Sequence, residues 1–576
     1  MDPVAAAAAP PASGPAARPR PAPADVPVPR GRAARPALAG LFSGLLLTLA
    51  FPPLAWWPLA WVALTPLYAV LAAPPAPGAP GAGGGRAVRT GLGAGFAFGL
   101  ALFLVGMFWM TEIGDGWLMK AIPWLVLSLI QAGPFALLGA ACSALLPRLP
   151  AAWARPVAFA ALWTLLEAAR GWGSYSFPWF FLAATQVRAP VLVQIVSVTG
   201  SWGLSFAVAL AGALLGEAWM AHRHLKPFRR RAVPLVAFLA IPGALALGGQ
   251  FAINAGAATE AGPSVPVGIA QGSFQKPRGA AYTTADRYEI LRLYLDLSRQ
   301  AASRAPGSLA FVAWPETVVP GDRGGLLRDA ELRRTVGGLA RDLGTPLLIG
   351  STHVDEEGRL RNTAVLVEAD GALGARYDKT RLVPVGEFFP LRRLLGPIYA
   401  RYSVPGTDIT PGALPGVLDV GGKNTRDGGA ATAHEALPVG LLICYESAFP
   451  AIAAARVRDG ARALVLLTSD QTFGATAGPY QHADLSVLRA VETRRYLVRA
   501  AATGISEVID PWGRVRTSLG INARGALTDA IRPRRDRSGY VRGGEWFDGA
   551  CGAFAAGALL SAALSGHRRR AGAATP

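Results

Sequence analysis

The chain has 576 residues, 52% of them hydrophobic and only 16% charged, with a positive mean hydropathy, a balance too apolar for a soluble protein of this length. Its formal charge of +19 invites a nucleic-acid reading, but most of the excess lies in short segments beside apolar runs, so no nucleic-acid partner is expected. Of three cysteines, Cys142 and Cys551 sit inside long apolar runs, which excludes a disulfide framework and leaves Cys444 as the only one in a polar part of the chain.

Residues 1–36, rich in Ala, Pro and Arg, cannot bury a core and read as a disordered tail. Apolar stretches near the ~20 residues needed to cross a bilayer follow. They predict a membrane domain over 37–253 with seven transmembrane helices, at about 37–53, 54–73, 91–110, 121–146, 156–172, 189–219 and 233–253. The first run leads into "FPPLAWWP" rather than a small-residue cleavage site, which argues against a signal peptide. In the short fifth span, Glu167 and Arg170 lie one helical turn apart and are expected to pair with each other. An eighth helix is predicted at 546–566, with a tail at 567–576.

Basic residues orient these spans. The N-terminal tail, the loops at 74–90, 147–155 and 221–232, and the C-terminal tail together hold 17 Lys and Arg, whereas the alternate connections hold three, Lys120, Arg170 and Arg188. By the positive-inside rule both termini are cytoplasmic, and seven spans carry the segment 254–545 to the outer side.

That segment alternates short apolar strands with helical stretches, the pattern of an α/β domain. Strands are predicted at 265–272, 309–316, 345–352, 362–370, 437–446, 463–470 and 496–504, and helices at 285–302 and 480–495. Polar residues gather where strands end, as in α/β enzymes: Glu316 closes one, Cys444, Tyr445 and Glu446 another, Ser469 and Asp470 a third. Lys379, in "YDKTRLVPVGEFFP" (377–390), stands out in a chain that prefers Arg, because a Lys ammonium is a compact charge that can sit against a single oxygen. Glu316, Lys379 and Cys444 would supply a base, a cation and a nucleophile. Taken alone, a cysteine at the end of an apolar strand can equally be a buried structural thiol. Glu387, after a Gly at a loop start, can be merely a cap or ion-pair partner, and Tyr445 and Glu446 can act by holding the strand end. His482 reads as structural or cleft-lining. Six scattered histidines without paired spacing imply no metal, and no cofactor is expected.

"WPE" (314–316), "DKTRLVP" with "GEFFP" (378–390) and "CYES" (444–447) resemble, in order and placement, the Glu-Lys-Cys motifs of the nitrilase, or carbon-nitrogen hydrolase, superfamily. With seven spans before that segment and one after it, and with "FPPLAWWPLAW" (51–61) and "LLEAARGWGSYSFPW" (165–179), the chain is similar to the apolipoprotein N-acyltransferase family. The resemblance implies a multi-span α-helical membrane domain plus an α/β nitrilase-like αββα sandwich over 254–545 on the periplasmic side of a bacterial inner membrane. It implies Glu316, Lys379 and Cys444 as catalytic residues, with Glu387, Tyr445 and Glu446 as supporting ones. It implies transfer of an acyl chain from a membrane phospholipid, through a Cys444 thioester, to the N-terminal amine of a diacylated apolipoprotein. The pattern departs at Ser273, Ser469 and Thr472, where the family more often has Asn, Asn and Trp. A membrane-tethered amidase or nitrile hydrolase would use the same residues with water as acceptor but needs only one anchor. A related transacylase with another amine acceptor is the further alternative.

Overall fold

The computed structural model describes residues 31–73, 84–113, 116–258, 262–275, 283–318, 325–389, 391–392, 394, 396, 408–421 and 436–573. The expected tail therefore lies outside the described residues up to residue 30, and residues 31–36 already belong to the first helix. The apolar runs form helices α1 (Gly31–Thr48), α2 (Thr65–Leu71), α3 (Gly84–Gly106), α4 (Trp117–Leu145), α5 (Ala154–Ala169), α6 (Ser201–Arg223) and α7 (Phe228–Ala258). Among the described residues, five stretches are helical, long and apolar enough to cross a bilayer: Gly85–Gly106, Lys120–Arg148, Val196–Arg223, Phe228–Ala258 and Trp546–Ser565.

The other expected spans are shorter for local reasons. Pro52, Pro53 and Pro58 interrupt the chain after α1, and Pro66 opens α2 afresh, since proline lacks the N–H that a continuing helix needs. Helix α5 has 16 residues, about 24 Å at 1.5 Å per residue, against a hydrocarbon core near 30 Å. The sixth expected span, 189–219, is realised as the crossing stretch Val196–Arg223, interrupted at Gly200, whose φ of +66° is left-handed. Before it the chain passes through a short 3-10 turn at Leu182–Gln186 rather than an α-helix, with Phe181, Leu182, Ala183, Thr185 and Gln186 buried. Such backbone is tolerated at membrane depth only when protein groups satisfy it, and here Leu182 N donates to Glu167 Oε1 (2.9 Å) and Ala183 N to Ser205 Oγ (3.1 Å). Helices α3 and α4 approach closely through Gly91, Gly95 and Gly139, where a Cβ on Gly95 would come within 2.0 Å of the Phe135 carbonyl. Large apolar side chains, among them Ile130, Leu137, Val236, Leu247 and Phe251, stay exposed on the helices, as a surface facing lipid requires.

The remainder forms strands β1 (Val265–Gln271), β2 (Val312–Trp314), β3 (Leu347–Val354), β4 (Leu360–Val367), β5 (Leu373–Asp378), β6 (Val417–Val420), β7 (Leu437–Ile443), β8 (Ala463–Thr468), β9 (Leu497–Ala501), β10 (Ser506–Ile509), β11 (Val515–Leu519) and β12 (Gly525–Ile531). Helices α8 (Thr284–Arg304), α9 (Ala330–Leu343), α10 (Pro450–Arg458) and α11 (Gly478–Thr493) lie between strands, and α12 (Trp546–Ala573) closes the chain. Two six-stranded sheets result, in the orders β12-β1-β2-β3-β4-β5 and β11-β10-β9-β8-β7-β6. In each, three parallel strands occupy the middle and antiparallel strands the edges.

Strand alternation builds the layers. Val267, Ile269, Ala313 and Leu366 of one sheet meet Val439, Leu441, Ile443 and Val465 of the other in a shared core. On the outer face of the first sheet Val312, Trp314 and Ile349 pack with Ile290 and Leu295 of α8 and Val336 and Leu339 of α9. This is the expected αββα sandwich. The outer face of the second sheet, through Leu442, Leu464 and Leu466, packs with α10 and α11. That cluster runs without a break into Leu67, Phe98, Trp163 and Leu204 of the membrane helices. Helix α7 continues to Ala258 and α12 to Ala573.

Candidate active site

Parallel strands bring their carboxyl ends to one edge, and the loops leaving those ends supply the polar residues. Glu316 follows β2, Lys379 follows β5, Cys444 follows β7 and Ser469 follows β8. Strand β4 runs antiparallel to β3 and β5, so Asn362, near its beginning, reaches the same edge.

Lys379 is 1% exposed, and its Nζ donates to Glu387 Oε1 (2.8 Å) and Glu316 Oε1 (3.2 Å). Burial alone would lower its pKa, but the two carboxylates more than offset that and hold the ammonium charged. Asn362 Nδ2 donates to the same two oxygens, at 2.7 Å to Glu316 and 3.1 Å to Glu387. The second oxygen of Glu316 accepts from Ser469 N (2.9 Å), and that of Glu387 from Val383 N (2.8 Å). Because Ser469 acts here through its main chain, a serine in that position serves Glu316 as well as an asparagine would.

Cys444 retains some accessible surface, yet burial pushes its thiol well above the ordinary cysteine range; Glu316 adds to the rise and Lys379 opposes it. The Cys444 φ of +50° is left-handed, a conformation that costs a non-glycine residue about 1–3 kcal/mol and persists only where the surroundings enforce it. The surroundings do so from three sides. Glu446, fully buried, accepts at Oε2 from Ile443 N (2.8 Å) and at Oε1 from Thr380 N (2.8 Å), Thr380 Oγ1 (2.7 Å) and Tyr377 O–H (2.6 Å). Ser447 Oγ donates to the Cys444 carbonyl (2.9 Å). His482 Nε2 lies 3.2 Å from that carbonyl and 2.9 Å from Ser447 Oγ, while its Nδ1 lies 2.8 Å from Asp470 Oδ1. Arg499 Nη2 donates to the other oxygen of Asp470 (2.8 Å). Burial would raise the Asp470 pKa, but Arg499 and His482 outweigh it and hold the carboxyl below its usual range.

Tyr445 points the other way: its O–H donates to the Ser176 carbonyl (2.8 Å), and its ring stacks on Phe177 with centroids 6.5 Å apart. Arg170 carries that receiving segment, donating to the carbonyls of Phe177 (3.1 Å) and Trp179 (2.9 Å) and to Gln131 Oε1 (3.2 Å). The expected Glu167–Arg170 pair does not form among the described residues. Glu167 instead accepts from Trp163 Nε1 (2.9 Å) and Leu182 N, because irregular buried backbone needs an acceptor that spacing along one helix does not reveal.

The structure thus gathers Glu316, Lys379 and Glu387 in one hydrogen-bonded cluster, with Cys444 in electrostatic contact, Glu446 beneath the turn and Tyr445 at the boundary with the membrane helices. Sequence reasoning missed Asn362, whose only signal was an amide near the start of a largely apolar strand. Among the described residues no group of His, Cys, Asp and Glu is placed to hold a metal ion.

Two family models match: an apolipoprotein N-acyltransferase N-terminal domain over residues 43–214 and a carbon-nitrogen hydrolase over residues 267–537. Relatives named apolipoprotein N-acyltransferase align along most of the chain. That of Geobacter metallireducens is 32% identical over 93% of this chain and 96% of its own. That of Azotobacter vinelandii is 32% identical over 88% and 92%, and that of Gloeobacter violaceus 30% over 90% and 92%.

Proposed function

The chain belongs to the apolipoprotein N-acyltransferase family, and we propose that it passes an acyl chain from a membrane phospholipid, through a thioester on Cys444, to the α-amine of an N-terminal diacylglyceryl-cysteine. The observation that carries this reading is the Lys379 ammonium, locked between Glu316 and Glu387 and set against a thiol in a constrained turn.

In the first half-reaction Cys444 Sγ attacks the ester carbonyl while Glu316 takes the thiol proton. Lys379 stabilises the oxyanion, a task worth ~3–4 kcal/mol for one well-placed donor. The carbon–oxygen bond breaks, Glu316 returns the proton to the departing oxygen, and lysophospholipid leaves. In the second half the acceptor amine attacks the thioester, Glu316 removes its proton, the carbon–sulfur bond breaks and the thiol recovers a proton. Glu387 and Asn362 keep Lys379 and Glu316 in register. Both substrates hold their acyl chains in the bilayer, a reason to fuse the sandwich to membrane helices on both sides of it in sequence.

The excess of Lys and Arg in alternate connections supports cytoplasmic termini and a periplasmic catalytic domain in the inner membrane. Reporter fusions at the 221–232 loop and near residue 420 are expected on opposite sides, and a shared side refutes that topology. The chemistry is tested by incubating purified protein with phospholipid alone. About one equivalent of lysophospholipid per enzyme should appear and release should stop until a diacylated lipopeptide with a free amine is added. Continuous fatty-acid release without lipopeptide would instead identify a hydrolase.

A further inference from the structure

Gln481 and His482 are consecutive on α11, and their side chains engage different parts of the molecule. His482 meets the Cys444 carbonyl and Ser447, as described above. Gln481, 5% exposed, meets the membrane part alone. Its Oε1 accepts from Trp109 Nε1 (3.0 Å) and Trp179 Nε1 (3.0 Å), and its Nε2 donates to the carbonyls of Gly106 (3.1 Å) and Pro52 (3.3 Å). A carboxamide has two acceptor positions and two donors, and all four are used, so the group has one orientation. The partners come from three separate elements: the loop after α1, the end of α3 with the turn that follows it, and the irregular segment before α6. The ring of His482 in turn rests 5.8 Å from Trp179, and Phe473 bridges Trp109 (4.6 Å) and His482 (6.1 Å).

We infer that Gln481 is a positioning residue for acyl transfer: it locks α11 to three elements of the membrane domain, and through His482 that lock sets the turn carrying Cys444. The left-handed backbone at Cys444 needs enforcement, and His482 supplies part of it only while α11 is held in place. All four polar contacts of the Gln481 side chain are spent on protein groups, so its loss is expected to act on the rate of the acylation step and to leave phospholipid binding intact.

This rests on Cys444 being the acylated residue. The experiment measures single-turnover acylation of Cys444 by phosphatidylethanolamine in detergent micelles, using the full-length purified enzyme, with the melting temperature recorded for each variant. Gln481→Met keeps the length and removes all four bonds; at saturating phospholipid it is expected to acylate at least about 10-fold more slowly per folded molecule, with KM unchanged. His482→Gln is expected to slow the same step, and the double variant to be no slower than the slower single, because the two residues act in series. Gln481→Glu retains an acceptor for both indoles and loses only the donated pair, so its rate should fall between wild type and Gln481→Met. It also stands in if Gln481→Met fails to fold. Wild-type acylation rates in the folded Gln481 variants, or effects of Gln481→Met and His482→Gln that multiply, would overturn the inference. A wild-type enzyme that forms no thioester would overturn the acyl-enzyme reading instead.

Discussion

Glu446 receives the main-chain N–H of Thr380 at 2.8 Å, and with its other oxygen that of Ile443 at 2.8 Å. Thr380 follows Lys379 and Ile443 precedes Cys444, so one buried carboxylate sets the spacing between the cation and the thiol. Glu446→Gln places an NH2 donor among groups that are themselves donors. It is expected to cost about 1–3 kcal/mol of stability and at least about 10-fold in activity per folded molecule. Thermal unfolding together with acylation kinetics checks this, and full activity in a folded variant would reduce Glu446 to a scaffold residue.

Cys444→Ala is expected to abolish acyl transfer, and Cys444→Ser to come close, since a hydroxyl lacks the thiol's accessible anion. Lys379→Met should lose about 10²-fold or more through the oxyanion. Glu316→Gln should fail to form the thioester at all. Trapping labelled acyl-enzyme and releasing it with hydroxylamine separates these cases, and a Glu316→Gln enzyme that acylates at the normal rate refutes its role as the first base.

Asn362 donates one amide to the two carboxylates that also share the Lys379 ammonium. Asn362→Leu should slow acylation about 10-fold or more. Asn362→Asp should be worse, because it adds a third negative charge beside Glu316 and Glu387. Activities in the order Asn, Leu, Asp test this, and an aspartate variant more active than the leucine one contradicts it.

Asp484 yields the pH dependence. Burial pushes its carboxyl up to about 7 from an ordinary 3.8, while Arg188, 3.2 Å away, opposes the rise. The folded protein therefore binds this proton more tightly than the unfolded chain, and the stabilisation is complete below the unfolded pKa. As pH climbs from about 4 through 7 that contribution is lost, up to about 4 kcal/mol for a three-unit shift. The wild type should melt lower at pH 8 than at pH 5, and Asp484→Asn should shrink the difference. An unchanged difference in the variant assigns the effect elsewhere.

The catalytic fold was readable where a segment is buried on both faces or periodic on one. β1, β7, β8 and β9 are near-continuous apolar runs, and the predicted helices at 285–302 and 480–495 lie within two residues of α8 and α11. Edge strands escaped detection: β5 (LGARYD) and β11 (VRTSL) have one wet face and polar residues that resemble loop. In the membrane part hydropathy located apolar mass but not the break at Gly200, since buried irregular backbone looks the same by composition as a helix. Glu316, Lys379 and Cys444 were visible because each is a chemically active side chain where an apolar or ordered run ends. Asn362 was not, because its importance lies in what stands across two strands from it. The separation of Glu167 from Arg170 has the same origin, with the Leu182 main chain outcompeting a partner one helical turn away.

The hydrophobic cluster that runs from the membrane helices into α10 and α11 also has a bearing on biogenesis. A ribosome synthesises α1 to α7 first, so an inserted apolar template is waiting when Phe449, Ala453, Leu485 and Leu488 emerge. Those side chains need not wait, unsheltered, for a partner made later. A circularly permuted gene that translated residues 262–573 ahead of 31–258 would encode the same contacts, yet it would expose that apolar helix layer in water during synthesis, where aggregation competes with folding.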